Sequence, residues 1–106
     1  MSRIIAVDFD GTLQDEYYPH LGNPNMKLIN WLIKERNNGA EVVLWTCREG
    51  KELVDAIRFC DGYGLVFDSV NTNPKSVDFV SRKVVADLYI DDRAMNANHP
   101  YAPWML

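Results

Sequence analysis

The most constraining feature of this chain is a four-residue apolar run, IIAV at positions 4–7, that runs directly into DFDGT at 8–12. Such a run is too short for a helix and has no polar alternation, as expected for a strand covered on both faces in a parallel sheet. The acids and Gly11 mark its exit into a turn. The pattern recurs at 42–45, which ends at Thr46-Cys47-Arg48, at 65–67, and at 86–90, which ends at Asp91-Asp92-Arg93. Between these runs the spacing predicts helices. One starts at Asn23 as N-cap with Pro24 in the first turn, runs through Met26, Ile29, Leu32 and Ile33, and stops near Gly39. A second covers 51–59, carries Leu53, Val54 and Ile57 on one side, and breaks around Gly62 and Gly64. A polar, aromatic-rich loop fills 14–23, Asn71-Thr72-Asn73-Pro74 is turn chemistry, and 75–83 is weakly helical or irregular. Strands alternating with helices imply βαβ units, and so an α/β, Rossmann-like three-layer domain with a mainly parallel sheet of about four to five strands.

At 106 residues the chain is read as a single domain, 1–106, with a tail at 96–106 of unassigned structure. A chain of this size buries roughly 65% of its unfolded surface, enough for a core without disulfide staples. Eleven Lys and Arg against fifteen Asp and Glu give a net charge of −4, so no basic excess holds a nucleic-acid backbone by bulk charge. Two cysteines, Cys47 and Cys60, match neither a disulfide framework nor a zinc site. Acids at the N-terminus argue against a signal peptide, and no stretch reaches the ~20 apolar residues of a membrane span. A cytoplasmic protein without a membrane role is expected.

Three of the four expected strands end in chemically capable residues: Asp8 and Asp10, then Thr46 and Arg48, then Asp91 and Asp92. Ligands of open parallel sheets bind at the carboxyl ends of the strands. Four carboxylates gathered there repel one another unless a cation joins them. Mg²⁺ suits the site, because it prefers hard oxygen and needs only one or two protein carboxylates. Side chains two apart share a side, so Asp8 and Asp10 face one substrate and divide nucleophilic from proton-transfer work. Gly11 permits a tight turn whose free amides, with those of Thr12, receive phosphoryl oxygens.

DFDGTL at 8–13 resembles the first motif of the haloacid dehalogenase (HAD) superfamily of phosphotransferases. The apolar run ending in Thr46 resembles the second motif, Lys83 the third, and Ile90-Asp91-Asp92-Arg93 the acidic fourth. The resemblance implies that Asp8 attacks phosphorus and forms an aspartyl-phosphate, while Asp10 protonates the leaving oxygen and then activates water. It implies Mg²⁺ held by Asp8, Asp10 through its backbone carbonyl, Asp91 and Asp92. Thr46 and Lys83 complete the catalytic set, with Gly11, Thr12, Thr46, Cys47, Arg48 and Lys83 facing the phosphate. Lys75 is the rival to Lys83. Thr-x-Arg at 46–48 resembles capless polynucleotide phosphatases and small capsule-biosynthesis phosphatases.

No cap domain is expected, since 12–42 leaves room for one loop and one helix only. An open cleft favours a large substrate end or a homo-oligomer that covers the site. The expected activity is hydrolysis of a small phosphorylated metabolite, a sugar phosphate or a nucleotide. The alternatives are phosphate removal from nucleic-acid ends and a non-catalytic, receiver-like phosphate-responsive module. Cys47 is read as a small buried filler and Cys60, Trp31 and Trp45 as core. Tyr17, Tyr18 and His20 are read as loop packing, with stacking on or binding substrate as the alternative, and Trp104, Met105 and Leu106 as an apolar end packed on the sheet or on another subunit.

Overall fold

The computed structural model describes residues 3–78, 83–91 and 103–105. Four strands, β1 (Ile4–Val7), β2 (Glu41–Leu44), β3 (Ser69–Val70) and β4 (Leu88–Ile90), form one all-parallel sheet in the order β3-β2-β1-β4. Two helices connect them, α1 (Met26–Asn37) between β1 and β2, and α2 (Gly50–Gly62) between β2 and β3. The chain therefore steps outward from β1 to β3 and returns to lay β4 on the other side of β1. That reversal makes β1 and β4 the strands flanking the topological switch point, where open α/β sheets bind ligands. The fold is α/β and Rossmann-like, and the described residues between β1 and β2 carry one loop and one helix, with no inserted cap.

Strand pleating sorts the side chains. Ile5, Val7, Val42 and Leu44 point to one face, where Leu28, Ile29 and Leu32 of α1 and Ala56 and Cys60 of α2 cover them in the main core. The opposite face carries Ala6 and Val43 under Val84, with Ile4, Ala86 and Tyr89 packed around them. The layer on that face is thus built by the connector between β3 and β4. Trp104, in a short 3₁₀ turn at Pro103–Met105, is 6% exposed and stacks 5.2 Å from Trp31, so this part of the tail closes the helical face of the sheet.

Several boundaries differ from the sequence reading: the strands expected at 42–45 and 86–90 span 41–44 and 88–90, and the helix expected at 51–59 spans 50–62. The N-cap of α1 is Asn25, whose Oδ1 accepts from the Leu28 amide at 3.3 Å. Asn23 instead donates to the Asp15 carboxylate, which holds the Asp15 pKa below its ordinary value. The expected strand at 65–67 is an anchor: Leu65 enters the core while Val66 is exposed. Pairing with β2 starts later, where the Asp68 amide donates to Val42 O at 2.8 Å. The Asp68 carboxylate in turn accepts from the Val42 amide at 2.7 Å and from Arg36 at 3.0 Å, tying α1, β2 and β3 together. The segment 75–78 is irregular, one of the two forms expected for 75–83, and 79–82 lie outside the described residues.

Cys60 is fully buried, and burial pushes its thiol from an ordinary 9.0 up to about 12. A raised folded pKa contributes stability below the unfolded value and loses it as pH climbs toward the folded value. Between pH 9.0 and about 12 the thiol is therefore expected to cost stability, at about 1.4 kcal/mol per pH unit. Urea unfolding at pH 8, 9.5 and 10.5 checks this: Cys60→Ala should flatten the alkaline slope relative to wild type, and parallel slopes would contradict it.

Candidate active site

The last register pair between β1 and β4 is Val7 with Ile90, and the Asp8 amide continues the ladder by donating to Ile90 O at 2.9 Å. Asp8 and Asp91 are therefore the next neighbours across the switch point, on chains about 4.8 Å apart. Both are half-buried. Two carboxylates this placed repel each other, and a hard divalent cation relieves that repulsion. The donor set fits Mg²⁺ in chemistry, being oxygen throughout: two carboxylates and the neighbouring Asp10 carbonyl. Asp92, the further expected ligand, and Arg93 lie outside the described residues. Among those described, no three His, Cys, Asp or Glu side chains gather in one group.

The turn after β1 is anchored at both ends. Phe9 and Leu13 are fully buried, and Phe9 meets Phe59 edge-on at 5.6 Å. Gly11 adopts φ +70°, and a Cβ there would lie 2.6 Å from the Tyr17 hydroxyl, so the position needs glycine. The amides of Gly11 and Thr12, expected to be free, donate to Glu16 O at 3.0 Å and Phe9 O at 3.2 Å. Turn closure takes these donors. The Thr12 hydroxyl is buried with no partner among the described residues.

Asp10 has a partner that sequence spacing does not reveal. Arg48, 1% exposed, clamps its carboxylate through Nη2 at 2.6 Å and Nε at 3.0 Å. Its Nη2 also donates to His20 O at 2.8 Å, and the guanidinium lies 4.8 Å from the Phe9 ring centre and 5.6 Å from that of Tyr18. The hydrogen bonds that Arg48 donates to the Asp10 carboxylate hold its pKa above the ordinary value. The guanidinium expected at the phosphate is thus turned onto Asp10. Gln14, 1% exposed, finishes the arrangement: its amide donates to Asp10, Glu16 O and His20 O and accepts from Glu16 and Gly22. The aromatic loop is therefore fastened to the Asp10–Arg48 pair.

At the end of β2, the Thr46 hydroxyl accepts from the Arg48 amide at 3.1 Å and keeps its own proton to donate. The Thr46 amide donates to Oδ1 of Asn71 at 2.7 Å. Asn71 sits at φ +56° just past β3; its turn chemistry in sequence carries one signal of this, that asparagine suits the left-handed region. Asp8, Trp45, Thr46, Cys47 and Asn71 line one cleft of about 500 Å³. Asp10, Tyr18, Cys47 and Arg48 line an adjoining one of about 310 Å³. Cys47 borders both and is exposed, not a buried filler, and Trp45 is 36% exposed, not core. Trp45 lies one residue and Cys47 three residues past the buried end of β2 at Leu44. Lys83 is exposed, with its ammonium 5.4 Å from the centre of the Tyr89 ring; Lys75 is exposed on the connector.

Fold and site define an α/β Rossmann-like domain with an acidic pair at its switch point. No family model matches the chain, and no curated protein does. A solved structure of a conserved protein coded by a locus from Bacteroides thetaiotaomicron is similar at 37% identity and TM-score 0.79, covering 90% of this chain and 79% of that one. The chain belongs to the same family as that protein. No helix among the described residues is long and apolar enough to cross a membrane.

Proposed function

We propose that the chain is a Mg²⁺-dependent phosphomonoester hydrolase of the HAD type, acting on a small phosphorylated metabolite through an aspartyl-phosphate on Asp8. The observation that carries this reading is the register that sets Asp8 beside Asp91 while Asp8 shares a cleft with Thr46. Phosphoryl transfer asks mainly for positioning and for neutralised oxygens. Asp8, Asp91 and the Asp10 carbonyl, with Asp92, would hold the ion, which supplies positive charge to the phosphoryl oxygens. Asp8 attacks phosphorus, the Thr46 hydroxyl donates to a phosphoryl oxygen, and Asp10 handles the proton of the leaving oxygen and then of water. Arg48 fixes the orientation of the Asp10 carboxylate and keeps it beside the loop.

An aryl phosphate assayed with Mg²⁺ and then with excess chelator tests the reading. Release of phosphate that stops on chelation and returns with Mg²⁺ is expected. Turnover indifferent to chelator, or no turnover of any phosphomonoester, would overturn it.

A further inference from the structure

Trp45 is an exposed aromatic residue at the mouth of the cleft that Asp8 lines. The three residues before it on β2 are fully buried, and its own amide still donates to Val7 O at 2.8 Å, so its backbone belongs to the sheet. Its side chain nevertheless stays 36% exposed. Trp31 and Trp104, by contrast, pack on each other on the far side of the sheet. The register Val7 with Leu44 makes Trp45 the neighbour of Asp8 on the next strand, and both line the cleft of about 500 Å³. An indole held beside an attacking carboxylate is placed to cover whatever the phosphate is attached to.

We infer that Trp45 is a stacking platform for a planar ring in the leaving group, and that the substrate is a ring-bearing phosphomonoester of the mononucleotide kind. This rests on the phosphatase reading for its chemistry but not for its binding geometry. The polar lining of the cleft decides between a flat ring and a bare sugar. Asp8 and Thr46 serve the phosphoryl group, which leaves Asn71 and Cys47 among the described lining residues. The Asn71 Oδ1 is already held by the Thr46 amide, so its two N–H donors remain for a ligand. Among the described residues one amide and one thiol match few of the several hydroxyls of a sugar phosphate, and each polar group buried without a partner weakens binding. A nucleobase or aryl ring presents a broad apolar face to the indole and an edge carbonyl to the Asn71 amide.

The test pairs binding with turnover. A nucleoside 5′-monophosphate titrated into the protein with Mg²⁺ should quench tryptophan fluorescence saturably, and Trp45→Leu should remove the quench that wild type shows. The ratio of kcat/KM for the mononucleotide over glycerol phosphate should fall about tenfold or more in Trp45→Leu, and Trp45→Phe should restore most of it. A 5′-phosphorylated oligonucleotide is the third arm: preference for it over the mononucleotide would overturn the small-substrate assignment. A ratio unchanged by Trp45→Leu, or a wild-type preference for sugar phosphates, would overturn the platform. If no ester is hydrolysed but the Trp45-dependent quench saturates, the subsite stands and the phosphatase reading falls. If esters are hydrolysed without any quench, the reverse holds.

Discussion

Asp8→Asn is expected to lower kcat on an aryl phosphate by at least about three orders of magnitude, because the amide removes the attacking oxyanion. The fold should not register the change. Asparagine has nearly the same shape, Asp8 is half-buried at the end of β1, and its amide hydrogen bond to Ile90 O is a backbone contact. In chelator the nearly isosteric variant should melt close to the wild-type temperature. With Mg²⁺ the two should separate. A ligand that binds only the native state stabilises by about 2.7 kcal/mol at a hundred times its dissociation constant, and the variant forfeits that gain. Thermal melts with and without Mg²⁺, together with kcat, separate loss of chemistry from loss of fold. Near-normal turnover in Asp8→Asn would remove the residue from the mechanism.

The Asp10–Arg48 pair carries the second large effect, and its two members should not be equivalent. Arg48 is 1% exposed whereas the Asp10 side chain is 18% exposed. Asp10→Ala leaves a buried guanidinium without its counter-charge, an error that costs about 3–5 kcal/mol. A domain of this size has roughly 5–15 kcal/mol in total, so the variant should be markedly destabilised. Arg48→Met keeps an unbranched chain beside Phe9 and leaves Asp10 where water reaches it, so the loss should be smaller. Asp10→Asn keeps the shape and one acceptor oxygen, and its stability should lie nearest to wild type while its turnover collapses. Urea unfolding at pH 7 ranks the three; Arg48→Met as costly as Asp10→Ala would contradict the burial argument. Kinetics adds a separate check. Because the guanidinium serves Asp10, Arg48→Met should lower kcat more than it raises KM, whereas a phosphate-binding arginine would show the opposite split.

Much of the fold was legible in the sequence because it depends on local pattern. The runs at 4–7, 42–45 and 86–90 and the helical spacing around Leu28, Ile29 and Leu32 each reported a face that had to be covered. What was not legible depended on distant partners. The run at 65–67 reads as a strand, yet the β2 backbone available for pairing meets the chain only at Asp68, which Arg36 holds from the other side. Asn23 and Asn25 are equally good caps locally; the Asn25 amide bond to Leu13 O decides between them. At the site, strand ends identified Asp8, Thr46 and Asp91, since that rule needs only the strand direction. Arg48 and Asp10 are 38 residues apart, and nothing in their spacing shows that one is clamped on the other. The exposure of Trp45 and Cys47 is illegible for a related reason: burial just past a strand end is set by what lies over the neighbouring strands.

The most direct measurement is the anomalous scattering of crystals soaked in Mn²⁺, which replaces Mg²⁺ at oxygen sites, together with a non-hydrolysable phosphate analogue. One strong peak is expected between the carboxylates of Asp8 and Asp91, with the analogue's phosphorus facing Asp8. Carboxylates turned apart with no peak between them would contradict the metal-assisted phosphatase at its root.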